Sequence, residues 1–233
     1  MTFTEHPRLL ARIAGVFYLI ITAFALFAYL YVRGQVIVPG DMTQTATNIL
    51  AHERLYRLGG AAAVVVVVCN LPLGWILFEL LKVVNSRLAL LALLFITVSA
   101  TIEAINLSNY FAPLLTFTLP EYRTAFQASE VQALARGPIR MFDYVFSVSL
   151  TFFGVFCVLI GHLIFRSKFL PAILGLLMMA AGVTYWINSF RLFLALRIPY
   201  LAWVTLVAEL SLALWLVIAG VNEAKWHAQA GAT

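Results

Sequence analysis

Charge is what this sequence has least of. Only 11% of its 233 residues are Asp, Glu, Lys or Arg, against about 25% in a soluble domain. A chain so poorly charged cannot coat a water-facing surface, which excludes an ordinary soluble domain. Cysteine is nearly missing too. Cys69 and Cys157 both fall inside apolar runs and read as small buried hydrophobes, not as a disulfide. His6, His52, His162 and His227 are scattered, with no HExxH and no Cys/His cluster, so neither a metal nor a cofactor is expected. There is no GxGxxG, P-loop or G-x-S-x-G. The net charge of +5 contains no basic tract interleaved with aromatics, which argues against nucleic acid and for membrane anchoring.

Apolar residues, by contrast, make up 63% of the chain. A bilayer crossing needs about 20 of them in a row, or about 30 Å of helix. Six such runs predict spans at roughly 9–32, 56–82, 88–111, 139–165, 170–195 and 200–221. The fold class is therefore all-α: one polytopic membrane bundle of six transmembrane helices. The first run is too long for a signal-peptide core and is expected to be retained.

Short interfacial helices are expected in the loops after spans 1 and 3. In the first, Asp41 with Gln44 three residues on is a capping pattern, predicting a helix from Met42 to about Ala51. In the second, Ser129 with Gln132 suggests a start and Gly137-Pro138 a stop. Pro113 and Pro120 should end the helix of span 3, and Pro72 should kink span 2. In span 1, Ala11, Gly15, Tyr18, Thr22, Ala25 and Tyr29 share a face that reads as a packing seam. The tail from Asn222 is expected to be disordered.

The stretch TVSATIEAINLSNY, within span 3, carries the strongest functional signal. Ser99, Glu103, Asn106 and Tyr110 follow i, i+4, i+7, i+11 spacing and fall on one helix face. An acid at membrane depth is costly, faces the protein interior and is a site candidate by default. With alternating topology, Glu103, Asn106, Asn188 and Arg191 come late in odd spans, while Arg57, Asp143 and Glu209 come early in even ones. All of these lie toward the leaflet away from the termini. The expected site therefore has Glu103, Asp143 and Glu209 as acid–base groups. Arg191, Asn106, Asn188, Arg57, Tyr110 and Ser147 would contact substrate. Acids around one arginine should divide, one pairing with Arg191 and another keeping its proton. The competing reading is an ion-pair cluster that only fixes helix register.

Four ordered segments carry a resemblance over nearly the whole length: RLLARIAGVFYLI, VRGQVIVPGD followed by ATNILAHERLYRLG, FDYVFSVSLTFFGVFCVLIGHLIFRSKFLPAILG, and YWINSF. The chain resembles a bacterial membrane family known as domain of unknown function 4386. The resemblance implies a six-span bacterial membrane protein and brings no activity with it.

Function is expected to be proton transfer, isomerase- or cyclase-like, on an apolar lipid-like substrate. A proton-coupled transporter and a non-catalytic assembly partner are the alternatives. The bilayer is the expected partner, with an apolar or lipid ligand, and the sequence is silent on oligomeric state. The 15 basic residues divide almost evenly between the two sides. Several of those on the side away from the termini can be held by the polar site. The expected location is therefore the bacterial cytoplasmic membrane with cytoplasmic termini.

Overall fold

The computed structural model describes residues 6–231, and every regular element among them is helical. The first span is α1 (Pro7–Ala25), a π-helical segment (Leu26–Val32) and α2 (Arg33–Val36) in one continuous run. After it come α3 (Met42–Ala51), α4 (Glu53–Leu81), α5 (Ser86–Thr118), α6 (Pro120–Ala125) and α7 (Ala128–Arg166). The chain finishes with α8 (Ala172–Phe193), α9 (Ala202–Ile218) and α10 (Glu223–Ala230). Five of these runs are each long and apolar enough to cross a bilayer. A sixth crossing arises if α9 and α10, which meet at 98°, form one broken span.

The long helices close into a ring in chain order. Each packs chiefly on its chain neighbours, and α9 returns to α1. The ring turns its apolar surface outward. Ile105 is 68% exposed while Glu103, two residues away, is 7% exposed, so the acid faces the interior. In the half nearer the termini, Leu73, Leu77, Leu80, Ile160, Leu163 and Leu216 fill the centre.

Small residues set the closest approaches. A Cβ on Gly154 would stand 2.8 Å from the Gly182 carbonyl oxygen, and one on Gly161 would stand 2.6 Å from that of Gly175. Two reciprocal glycine contacts thus let α7 and α8 meet backbone to backbone. Gly15, in the seam of span 1, does the same against Val217 of α9.

Asp41 caps α3 as expected, its carboxylate accepting from the Gln44 N–H at 2.9 Å. Elsewhere the helices outrun the sequence's stop signals. Pro113 lies inside α5, which runs on to Thr118 before Pro120 opens α6; Pro72, expected as a kink and not a stop, lies inside α4. The start of α7 is a capping box of Gln127 and Glu130, not Ser129 and Gln132, and the helix runs on through Gly137-Pro138. Proline disfavours a helical predecessor by crowding its Cβ, and Gly137 has none. At 1.5 Å per residue, α7 is about 58 Å long, far more than a bilayer's hydrocarbon core. Its first turns pack Val131 and Ala135 with Ala46 and Ile49 of α3.

The tail departs from expectation. Asn222 caps α10, its side chain accepting from the Lys225 N–H at 3.0 Å. Trp226 is 4% exposed and donates its indole N–H to the Leu80 carbonyl at 2.9 Å. A buried aromatic and a carbonyl left free at the end of α4 order this segment. Only residues 232–233 of the predicted disordered tail lie outside the described residues. Trp226→Phe keeps an aromatic ring but deletes the donor and leaves a small void, so it should cost at least about 1 kcal/mol. A lowered thermal unfolding midpoint in detergent checks this, and an unchanged midpoint would show that the bond contributes nothing.

Candidate functional site

The face predicted from TVSATIEAINLSNY is buried along its length. Ser99, Glu103, Asn106 and Tyr110 are all 7% exposed or less. Each is held differently. Ser99 and Ser149 pair across α5 and α7, hydroxyl to hydroxyl at 2.9 Å. Asn106 donates to the Phe142 carbonyl at 3.0 Å. Tyr110 and Tyr56 each donate a phenol to the other's backbone carbonyl, at 3.1 and 2.7 Å. Glu103 accepts a hydrogen bond from the Tyr29 phenol.

Tyr29 sits in the π-helical segment, and Arg33 caps that segment's end. A π segment adds a residue to the turn and re-aims the side chains on it. Such insertions recur at functional sites. Here they cross the ring, joining span 1 to α5 and α7. Arg33 donates to Asp143 at 2.7 Å, and its guanidinium lies 4.1 Å from the centre of the Phe142 ring. The Arg33 side chain is 10% exposed and that of Asp143 54%. Tyr29 packs on Phe146, ring centres 4.8 Å apart.

Asp143 therefore pairs with Arg33, which corrects the expected pairing of an acid with Arg191. A span-end arginine has a long enough side chain to turn back into the ring. Among the described residues, no carboxylate lies within ion-pair distance of Arg191, and its guanidinium instead sits 5.5 Å from the Tyr200 ring centre. Glu209 also stands apart from Asp143, accepting from the Tyr185 phenol between α8 and α9. Arg57 is paired with Glu53 one turn before it, on an exposed face.

Four of the nine expected residues share a cleft of about 240 Å³. Asp143 and Ser147 come from α7, and Asn188 and Arg191 from α8. Tyr200, from the segment before α9, adds a phenol, and Phe146, Leu150 and Leu192 supply apolar wall. Ser147 donates back to the Asp143 carbonyl at 2.9 Å. The Asn188 carbonyl oxygen accepts from the Leu201 N–H at 3.0 Å. Glu103, Asn106, Tyr110, Arg57 and Glu209 do not line this cleft. A second cleft, about 340 Å³, lies between α3 and the outer ends of α5 and α7. Thr43, Thr47, Phe117, Phe126 and Val131 line it, with no ionisable group among the described residues. Among the described residues no cluster of three His, Cys, Asp or Glu could hold a metal.

Sequence reasoning missed Arg33, Tyr29, Tyr185 and Tyr200. For Arg33 a signal existed. It follows Tyr29 by four residues and so continues the span 1 seam, but its place at a span end reads as an anchor.

The family model described as domain of unknown function (DUF4386) matches residues 13–220. Neither a curated protein nor a solved structure matches. The chain belongs to that family, and it is an all-helical, multi-pass membrane protein.

Proposed function

Starting from membership of a membrane family of unknown function, we propose that this protein moves a proton on an apolar, lipid-like substrate, in an isomerase- or cyclase-like reaction. The observation that carries the reading is the cleft. It places a carboxylate, a hydroxyl, an amide, a guanidinium and a phenol against an apolar wall at the edge of a lipid-embedded ring. Asp143 is the cleft-wall acid–base group, steadied by Arg33. It takes a proton from one carbon of the substrate, a proton is returned at another, and the double bond shifts between them. The atoms balance, and neither oxidant nor reductant enters.

Behind the wall, Phe146 packs on Tyr29, and Tyr29 donates to Glu103. This phenol–carboxylate pair supplies a proton reservoir one ring away from the cleft. The filling of the other half of the ring by leucine and isoleucine supports an enzyme over a proton-coupled carrier, which needs polar groups through both halves. We place the protein in the bacterial cytoplasmic membrane with cytoplasmic termini.

The test compares lipids extracted from cells making the wild type, Glu103→Gln or Asp143→Asn. One apolar species should build up in both variants, more with Asp143→Asn. A profile that stays the same while both variants remain folded overturns the reading. A subunit copurifying in mild detergent alongside that unchanged profile would favour an assembly partner.

A further inference from the structure

Resting on that reading, we infer that the Asn188–Arg191 corner of the cleft binds the carboxylate head of a single-chain amphiphile. The argument begins with what is left unsatisfied. Asn188 is 4% exposed, and its Nδ2 is buried without a partner. Arg191 Nε is likewise buried without a partner. A buried polar atom without a hydrogen bond is costly enough that native structures rarely keep one.

Both atoms are donors. The Asn188 amide is fixed the right way round, because its oxygen already accepts from the Leu201 N–H. What completes the corner must therefore be an acceptor, and two donors one helical turn apart on α8 suit a group with two acceptor oxygens.

Charge selects among acceptors. Arg33 and Asp143 cancel one another. Arg191 is the cation in the cleft with no carboxylate within ion-pair distance among the described residues. One negative charge balances it. Tyr200 lies beside the guanidinium, its ring centre 5.5 Å away, and a forked contact is the geometry in which arginine holds a carboxylate. The tail leaves along Phe146, Leu150 and Leu192 into the bilayer. Asp143 then stands across the cleft from the head, beside the first carbons of the chain.

Binding is read on the whole protein in nanodiscs, by displacement of a radiolabelled fatty acid. Probes are dodecanoate, dodecyl phosphate, dodecanol, acetate and inorganic phosphate. Dodecanoate should compete at least about tenfold better than dodecanol, since a charge-assisted bond is lost. Acetate and inorganic phosphate, which share an anion but carry no tail, should compete poorly. Arg191→Gln should weaken dodecanoate about tenfold, and Arg191→Lys, which keeps charge without the fork, by less.

Asp143→Asn should bind dodecanoate as tightly as the wild type or more so, because it removes a negative charge from the wall. Dodecanoate binding by an inactive protein thus leaves this inference standing when the proposed reaction fails. Equal competition by dodecanol, or by acetate, overturns it, as does a preference for dodecyl phosphate. Wild-type competition alone decides the matter should the Arg191 variants not fold.

Discussion

Gly161→Val should abolish the folded protein, or lower its stability by at least about 3 kcal/mol. A Cβ there would sit 2.6 Å from the Gly175 carbonyl oxygen and 2.7 Å from the Met179 nitrogen. Both are backbone atoms of a packed helix, so no rotamer change makes room. The two helices must part, and every contact along α7 and α8 is then weakened together. Gly34→Ala is the control. Nothing lies within 4 Å of a Cβ built there, so it should be neutral or gain up to about 1 kcal/mol from helix propensity. Thermal unfolding and gel-filtration profiles in detergent measure both. Comparable losses for the two would mean that the α7–α8 contact is not what the bundle depends on.

Asp143→Asn should act twice. If Asp143 is the base of the proposed reaction, its loss should lower turnover by about 10²- to 10⁴-fold, read as the rate of lipid conversion in proteoliposomes. It also leaves the Arg33 guanidinium, 10% exposed and with its Nη1 already unpartnered, without a counter-charge. That costs about 1–3 kcal/mol. The reverse change is milder. Arg33→Met strands only a half-exposed carboxylate, worth about 0–1 kcal/mol. The double variant should therefore be more stable than Asp143→Asn alone, while remaining inactive. Equal costs for the two single changes would place both charges in the same surroundings and remove the argument for a buried arginine.

The inward face of α5 could be read from residue spacing, because helical periodicity and the cost of burying charge are both local rules. The inward face of Ser99, Glu103, Asn106 and Tyr110 follows from them, and all four are buried. Pairing does not follow. Asp143 could have met any arginine in its half of the ring, and it met Arg33, whose side chain reaches it from the end of the π-helical segment. Two acids found tyrosines, not arginines. A phenol in an apolar span looks like any other packing aromatic until its neighbour is known.

Stop signals misled for a related reason. Proline and glycine mark a break when water can satisfy the freed carbonyl. In a membrane helix the rest of the helical backbone stays hydrogen-bonded around a proline, so α5 and α7 pass through Pro113 and Pro138. Composition and periodicity alone determined that this chain is a bundle of membrane helices, since lipid penalises charge wherever the chain places it. The closing of the ring, the choice of Arg33 over Arg191, and the gathering of Asp143, Ser147, Asn188 and Arg191 at one cleft were decided by tertiary structure. They depend on which side chains reach one another across the bundle, and spacing within a single helix carries no record of that distance.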